Sequence, residues 1–505
     1  MASCFLGIDN GTQGLTVLLV DSDLNVLATG EGSYDFVPSL GKGSYEQAPS
    51  DWDAALVQAM QSISLEGRTV HAIGISGQMH GEVLVDENCN PLQPARLWCD
   101  ARNDAEGDEL TELFQTKVPK RATCARFLWT TRNRPEIAKQ VAHMTTPAGW
   151  MSYRLTGEWN LGIGDAAGMF PIDGEDYNAD FLQKYNALVA DNSMPRLSSI
   201  LPKPRRAGED AGKLTADGAS LLGLPESAIG IPVAAAEGDQ VASLAGSLIG
   251  RDGLVSCSFG TSVCANVVAP KGHHFEGVSS AVDHFAAADG KPIHMVWLRN
   301  GTTFLNTIVA SYGNDFARIM PQLIEAAPDC GGLVALPFMD DEPGLGVSQG
   351  GSASIVGLNA ENSTPGNVAK AALLATMFNL KIGCQVLIDQ GIELRQLVLS
   401  GGLAKTPECG QILADVFGLP VQFLEAADEG CSWGAAVLAK YRYLVASGQT
   451  TEEWSTFLDS ISGNRPTTVF DPIAANVPLY DKQFARYQKL IRLQEALTEV
   501  VSSSS

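Results

Sequence analysis

Apolar residues along the chain fall into short runs separated by turn residues and longer helical stretches. Residues 3–9 and 15–20 each have the apolar pattern of a strand, and Asn10-Gly11 lies between them. Because Asn and Gly both tolerate positive φ, this pattern predicts a β-hairpin. A helical stretch follows at about 50–64. The first part of the chain therefore predicts a mixed α/β unit.

The same order of elements recurs in the second half of the chain. Residues 253–268 again predict two strands, with the pair Gly260-Thr261 between them. A long Ala/Leu-rich helix over about 366–390 precedes a strand at 396–402 that ends in Ser-Gly. This recurrence predicts two related domains.

The length of the chain also favours two domains. It has 505 residues, of which 45% are hydrophobic, and a single core rarely grows beyond about 250–300 residues. We predict an N-terminal domain over 1–248 and a C-terminal domain over 249–505. The stretch 236–250, a loop followed by an Ala-rich helix, would then be the hinge.

Charge and composition exclude several classes of partner. The formal net charge of -23 repels nucleic acid and anionic lipid, so we expect neither. We expect no apolar run of the 18 or more residues that a membrane span needs, and the N-terminus lacks the pattern of a signal peptide. Ten cysteines without CxxC spacing predict buried free thiols. Together these features predict a cytoplasmic protein.

The two Gly-Thr tips have residue types suited to binding phosphate. A hairpin tip exposes backbone N–H groups, glycine permits close approach, and Thr12 and Thr261 add hydroxyl donors. Asp9, just before the first tip, can hold Mg²⁺ directly or through water. An ordinary hairpin without a ligand is the alternative interpretation.

Two polar segments follow or precede predicted elements. Asp239, in Glu-Gly-Asp-Gln at a loop-to-helix junction, can accept a proton from a substrate hydroxyl, or can simply cap the helix. Gln78 and His80 lie directly after the strand predicted at 70–76 and could donate or accept hydrogen bonds with a ligand. For these two residues the alternative is a tight loop with a surface histidine.

A third segment, Ser-Gly-Gly-Leu-Ala-Lys at 400–405, is rich in glycine. Gly401 and Gly402 would let an adenine or ribose lie against the backbone, and Lys405 could face a phosphate. A plain loop is the alternative. The chain contains no GxxxxGK[ST] loop, no GxGxxG fingerprint and no HExxH motif, and its seven histidines lack metal-ligand spacing.

Taken in order, these segments resemble the FGGY family of carbohydrate kinases, within the actin-like ATPase superfamily. Each motif is weak alone, and their order and spacing over nearly the whole chain make the resemblance specific. The motifs are LGIDNGT (6–12), GSYEQAPSDW (43–52), IGISGQMHG (73–81), LWCDAR (97–102), GDAAGMF (164–170), EGDQ (237–240), SFGTS (258–262), LSGGLAK (399–405), QILADVFGLPV (411–421) and GAAVLA (434–439).

The resemblance implies two ribonuclease-H-like domains with a deep cleft between them. Sugar would bind the N-terminal domain, and ATP with Mg²⁺ mostly the C-terminal one. Asp239 would be the general base, with Asp9 and Asp239 near the metal. A homodimer is also implied. The implied nucleotide contacts are Asp9, Gly11, Thr12, Gly260, Thr261, Ser262, Gly401, Gly402 and Lys405.

Within the family, the GQMHG loop and the LWxDxR pattern are most similar to those of xylulokinases. This similarity implies phosphorylation of D-xylulose on its 5-hydroxyl. Kinases for sedoheptulose, ribulose or glycerol, and a weakly catalytic sugar or nucleotide sensor, are the alternatives. The implied sugar-site residues are Gln78, Met79, His80, Trp98, Asp100, Arg102 and Gln240.

Four departures from the family pattern keep these alternatives open. Thr16 stands where many members have Lys or Arg, and Gln240 follows the base as in glycerol kinases, where xylulokinases commonly have Asn. Arg126 replaces the lysine of the family signature. The stretch 336–344, LPFMDDEPG, replaces the expected Gly-Glu-Arg-Thr-Pro.

Overall fold

The computed structural model describes residues 2–189, 193–424, 430–463, 465 and 467–502. Two mixed β-sheets, with helices on their faces, form its framework. In chain order the strands of the described residues are β1 (Ala2–Asn10), β2 (Gly14–Asp21), β3 (Val26–Ser33), β4 (Glu46–Gln47), β5 (Arg68–Gly77), β6 (Val83–Val85), β7 (Ala95–Arg96), β8 (His143–Thr145), β9 (Asn160–Gly162), β10 (Ile172–Asp173), β11 (Asp176–Tyr177), β12 (Lys203–Arg205), β13 (Glu237–Gly238), β14 (Leu254–Phe259), β15 (Val263–Val268), β16 (Val282–Ala286), β17 (Pro292–Leu298), β18 (Val334–Leu336), β19 (Ser354–Val356), β20 (Gln396–Gly401), β21 (Val421–Leu424) and β22 (Thr467–Phe470).

Helices cover both sheets. They are α1 (Pro49–Gln61), α2 (Asp104–Phe114), α3 (Thr123–Asn133), α4 (Pro135–Ala138), α5 (Pro147–Thr156), α6 (Ile163–Met169), α7 (Ala179–Val189), α8 (Leu197–Ile200), α9 (Ala216–Leu221), α10 (Asp239–Gly246), α11 (Thr303–Ser311), α12 (Phe316–Glu325), α13 (Pro365–Asp389), α14 (Cys409–Phe417), α15 (Gly430–Ala446), α16 (Trp454–Ser462), α17 (Val477–Ile491) and α18 (Gln494–Ser502).

The two main sheets share one strand arrangement. The N-terminal sheet has the order β13-β5-β1-β2-β3, with parallel partners on one side of β1 and antiparallel partners on the other. The C-terminal sheet, β16-β17-β15-β14-β20-β21-β22, has the same arrangement around β14 once its edge strands β16 and β22 are set aside. The predicted α/β fold class with two related ribonuclease-H-like units is confirmed.

Both predicted hairpins form, as β1–β2 and β14–β15. The first turn differs from the two-residue type expected of Asn-Gly, because neither Asn10 nor Gly11 has a positive φ. Instead the N–H of Gly11 donates to the carbonyl oxygen of Gly14 at 3.0 Å, closing a wider loop. Glycine suits position 11 because a Cβ there would lie only 3.2 Å from that same oxygen.

Helix α13 confirms the helix predicted at 366–390 and forms the centre of the C-terminal core. Contrary to expectation, it is long and apolar enough to cross a membrane. However, 72% of its apolar stretch is buried inside the protein, as in the core helix of a globular domain. The length and composition of α13 therefore reflect its position in the core.

Helix α15 packs on the N-terminal sheet, although in sequence it follows every strand of the C-terminal sheet except β22. Gly7 and Gly74 lie directly beneath its backbone, where a Cβ on either residue would overlap main-chain oxygens of the helix. Gly434 brings α15 equally close to α10. The indole Nε1 of Trp433 donates to the carbonyl of Leu24 at 2.9 Å. The domain division at residue 248 stays a prediction.

All ten cysteines are free thiols. Six are buried, as predicted, whereas Cys89, Cys99, Cys264 and Cys431 are partly exposed. Cys431, in the first turn of α15, donates its S–H to the carbonyl oxygen of Asp239 at 3.2 Å. This contact joins the start of α15 to the start of α10.

Candidate active site

Three strands of the N-terminal sheet end side by side. β1, β5 and β13 run parallel, and their last residues lie opposite one another. Ligands of open α/β sheets bind outside the carboxyl ends of such strands. Asp9, the loop Gln78-Met79-His80 and Asp239 therefore lie at one edge of the sheet.

Gln78 connects the loop after β5 with the first hairpin tip. Its side-chain amide donates to the carbonyl of Gly11 at 3.3 Å, and its oxygen accepts from the Thr12 hydroxyl at 3.4 Å. Trp98, which is 42% exposed, donates from its indole Nε1 to the same hydroxyl at 3.0 Å. Three residues predicted from separate motifs are thus brought together.

A buried amide that we did not single out, Gln47, fixes both loops. Its oxygen accepts from Gln78 Nε2 at 3.0 Å and from the indole of Trp52 at 3.1 Å. Its own amide donates to the carbonyl of Thr12 at 2.8 Å. Gln47 lies inside the GSYEQAPSDW motif, which was its only signal in the sequence.

Met79 and His80 rest on two glycines. A Cβ at Gly238 would overlap Met79, and one at Gly168 would lie within about 3 Å of both side chains. The His80 backbone has a φ of 65°, and its Nδ1 lies 2.9 Å from the carbonyl of Gly168. Burial lowers the pKa of His80 to about 3, so the imidazole is neutral at physiological pH.

Asp239 is the first residue of α10, with Gly238 at the N-cap, so the alternative that Asp239 itself caps the helix is wrong. One of its carboxylate oxygens accepts from the N–H of Gln240 at 2.7 Å. Its half-buried position, followed by the charge of Asp9, raises the pKa to about 7. A carboxyl group of this pKa can accept a proton near neutral pH.

Two fully buried carboxyl groups, also missed in the sequence, lie behind this edge. Glu237 accepts hydrogen bonds from the N–H groups of Gly164 and Asp165 at the start of α6. Asp165 accepts from the hydroxyl of Thr146 at 2.6 Å, and burial raises its pKa to about 8. Burial thus favours the protonated form of Asp165. Glu237 holds α6 against β13, and Asp165 joins α6 to the start of α5.

The surroundings of Asp9 fit a divalent cation. Burial raises the pKa of Asp9, and its buried Oδ1 has no hydrogen-bond partner among the described residues. Nowhere among the described residues do three His, Cys, Asp or Glu side chains lie together as a set of metal ligands. Mg²⁺ commonly needs only one or two carboxylates, with phosphate oxygens and water completing its shell.

Asp100 is surrounded by protein donors. Its oxygens accept from the guanidinium groups of Arg96 and Arg102 and from the N–H of Tyr45. Burial would raise its pKa, but Arg102 and Arg96 lower it to about 2. Arg126 is also buried and donates to the main chain of the same segment. Asp100 and Arg102 thus order the segment that carries Trp98, and direct contact with a sugar stays a prediction.

The second hairpin tip is held by the start of α11. The N–H of Gly301 donates to the carbonyl of Thr261 at 2.9 Å, and the N–H of Thr302 donates to Gly260 at 2.8 Å. The N–H of Gly260 is used within the tip, by the carbonyl of Ser262 at 2.9 Å. As at Gly11, the N–H of the glycine is therefore engaged within the tip and is not a free donor.

The unusual stretch 336–344 supports this second tip. Asn300, which directly precedes the Gly301 and Thr302 that hold the tip, donates from its main-chain and side-chain nitrogens to the buried carboxylate of Glu342 at 2.9 and 3.1 Å. Its side-chain oxygen accepts from the N–H of Asp340 at 3.0 Å. In this chain the stretch therefore positions the tip through Asn300.

A cavity of about 800 Å³ opens beside the second tip. Its walls come from Thr302 and Asn306 near the start of α11, from α12, and from the Gly402–Lys405 segment. Gly401, at a φ of 76°, packs against Phe259 at the end of β14. The Gly402–Lys405 wall contains Gly402 and Lys405, whose role as nucleotide contacts stays a prediction, whereas α11 and α12 were not singled out in the sequence.

Gln240 links the two parts of the site. It follows Asp239 in α10, and its side-chain oxygen accepts from Asn266 Nδ2 of β15 at 3.5 Å. This contact joins α10, which begins directly after β13 of the N-terminal sheet, to the C-terminal sheet. Thr16 lies opposite Asp9 in the β1–β2 register. The Lys or Arg that many family members have at this position would therefore lie beside the Asp9 carboxylate.

Comparison with known proteins gives one consistent result. Residues 4–246 match the model of the FGGY family of carbohydrate kinases, N-terminal domain, and residues 255–443 match the C-terminal domain. A xylulose kinase of Haemophilus influenzae is 28% identical over 96% of this chain and 98% of its own length.

Solved structures agree with this result. One described as a xyloylose kinase from Brucella ovis has a TM-score of 0.82 and 25% identity, and covers 98% of this chain and all of its own. Plasmodium falciparum glycerol kinase with ADP shares the fold, with a TM-score of 0.81, 19% identity and coverage of 98% of both chains. The chain belongs to the FGGY family of carbohydrate kinases and is an ATP-dependent sugar kinase.

Proposed function

We propose that this kinase phosphorylates D-xylulose to D-xylulose 5-phosphate, with Asp239 as general base. The observation that carries the proposal is the half-buried Asp239 carboxylate, with its raised pKa, beside the Met79-His80 loop. Similarity to xylulose kinases over nearly the full chain supports the choice of sugar.

In the proposed reaction, Asp239 accepts the proton of the sugar 5-hydroxyl. The oxygen then bonds to the γ-phosphorus of ATP as the bond to the bridging oxygen breaks and ADP leaves. The neutral His80 and the Met79 loop orient the sugar, and donors at the two tips stabilise the transferred phosphoryl group. Asp9 and Asp239 would hold Mg²⁺, which when bound neutralises phosphate charge.

We further propose that the 800 Å³ cavity holds the nucleoside of ATP. Ala317 of α12 lines it, so Ala317→Trp is expected to fill part of the cavity and raise KM for ATP by about tenfold or more. KM for the sugar should stay the same. Arg318→Trp, next to it on α12 and outside the cavity wall, is the matched control. An unchanged KM for ATP in Ala317→Trp would contradict this placement.

Activity is expected to fall in acid as Asp239 becomes protonated. Burial and Asp9 raise its pKa to about 7 without ligands, and a bound cation favours the carboxylate. In the complete assay the midpoint should therefore lie between about 4, the ordinary value, and 7. Below it kcat/KM for the sugar should drop about tenfold per pH unit, measured with ATP saturating. A flat profile down to pH 4 would contradict a carboxylate base.

A panel of sugars tests the substrate. ADP release should be measured with D-xylulose, D-ribulose, sedoheptulose and glycerol, and kcat/KM should be highest for D-xylulose. A higher value for another member would replace D-xylulose and leave the base in place. No turnover with any of them would instead favour a sensor on the same fold.

We also infer from the family resemblance that the protein acts in the cytoplasm as a homodimer. The strongly acidic chain argues against nucleic acid and anionic membrane surfaces as partners. Sedimentation of the purified protein at micromolar concentration would give a mass of twice 53.5 kDa if the dimer is correct.

A further inference from the structure

One segment of the N-terminal domain reaches across to an edge strand of the C-terminal sheet. Nζ of Lys117 donates to the carbonyl of Ser280 at 3.1 Å and lies 3.9 Å from the carboxylate of Asp283, in β16. The guanidinium of Arg121 forms an ion pair with the same carboxylate. Lys117 and Arg121 of the N-terminal domain thus both lie against the buried carboxylate of Asp283 in the C-terminal domain.

Asp283 is charged in this arrangement. Burial alone would raise its pKa, but Arg121 and then Lys117 hold it below its usual value. An ion pair with one buried partner is screened less by solvent than a surface pair. The contact between Arg121 and Asp283 is therefore a defined point of attachment between the domains.

Arg121 also contacts the proposed sugar loop. Its Nε–H donates to Nε2 of His80 at 3.3 Å. The other ring nitrogen of His80, Nδ1, faces the carbonyl of Gly168, which can only accept, so Nδ1 carries the proton. His80 therefore offers a lone pair at Nε2, and Arg121 is the donor that occupies it here.

We infer that Arg121 is a positioning residue for the sugar, which orients His80 and is itself held by Asp283 of the other domain. This inference rests on the proposed role of His80 in the sugar site. A sugar hydroxyl that donates to Nε2 shares this acceptor with Arg121, which holds the imidazole ring in place while it stays attached to Asp283. Sugar binding is thereby coupled to the contact between the domains.

Three variants test the coupling with the sugar that wild-type protein turns over fastest. Arg121→Gln should raise KM for the sugar about tenfold, with a smaller change in kcat and none in KM for ATP. Asp283→Asn should raise the same KM severalfold, although Asp283 does not touch the sugar loop. Arg121→Lys keeps the charge for Asp283 but lacks the Nε–H donor, so KM should stay raised while thermal stability is retained. Lys120→Gln, whose ion pairs are with Asp104 and Asp108 of its own domain, is the control and should change neither KM.

A spectroscopic measurement separates positioning from general stability. In protein labelled with ¹⁵N in its histidine rings, the Nε2 signal of His80, assigned with His80→Gln, should shift in both Arg121 variants and in Asp283→Asn. Lys120→Gln should leave it unchanged. An unmoved signal together with an unchanged KM for the sugar in Arg121→Gln would overturn the inference, as would changes confined to KM for ATP. If another sugar is preferred to D-xylulose, the proposed substrate fails while this test proceeds with that sugar.

Discussion

Replacing Asp239 by Asn is expected to lower kcat by about 10²–10⁴-fold, the usual contribution of a positioned general base. The amide keeps the size of the side chain and can still accept from the N–H of Gln240, so the start of α10 should be preserved. It cannot take the proton of the attacking hydroxyl. The measurement is steady-state ADP release with saturating sugar and ATP, together with ATP binding by calorimetry.

A control variant and a measurement of ATP binding separate loss of the base from general damage to the protein. Asp217→Asn, in the first turn of α9, changes a similarly placed helix aspartate remote from the proposed site and should leave kcat unchanged. ATP should still bind Asp239→Asn with a Kd within a few-fold of wild type. Turnover near the wild-type value in Asp239→Asn would exclude it as the base.

The second large effect is expected in the packing of α15 on the N-terminal sheet. Gly74→Ala places a methyl group against the main chain of α15, at the Ala435 carbonyl, which cannot move without shifting the helix. Overpacking of a core commonly costs about 1–3 kcal/mol, and an obstacle made of main chain places this case at or above about 3 kcal/mol. A lowered urea midpoint and a lower melting temperature are the expected observations.

Gly41→Ala provides the matched control for this substitution. Gly41 has an ordinary φ, and among the described residues the nearest atom to a Cβ built there is the hydroxyl oxygen of Ser44, 4.0 Å away. The free energy of unfolding of Gly41→Ala should therefore match that of wild type. Equal stability of the Gly74 and Gly41 variants would mean that α15 does not rest on β5 as closely as described.

Local patterns were sufficient to predict the elements that carry the site. Short apolar runs predicted β1, β2 and β5, and the Ala/Leu-rich stretch predicted α13 nearly to its ends. The hairpin at Gly11 was predicted, but not its turn, because Asn-Gly is equally compatible with a wider loop closed by Gly14. The motif residues Asp9, Gln78 and Asp239 meet because parallel strands end at one edge.

Other parts of the site depend on distant packing that no local pattern contains. Gln47 is one polar residue among many until its amide is seen between Gln78 and Thr12. The contact of Arg121 with Asp283 joins residues 162 positions apart. The walls of α11 and α12 around the large cavity have ordinary amphipathic patterns. These features require the tertiary structure before their chemistry can be recognised.

The position of α15 has a consequence for how the protein is made. A nascent chain leaves the ribosome from its N-terminus, and domains generally fold in that order. Here the helix that covers β1 and β5, α15, is formed by Gly430–Ala446. The N-terminal domain therefore cannot complete its core until α15, and with it all the C-terminal strands through β21, has been synthesised. During that interval the apolar face around Phe5, Leu18 and Ala72 is open to chaperones or to other nascent chains. The yield of folded protein should therefore depend on translation of the final segment, even where the N-terminal sheet itself is unchanged.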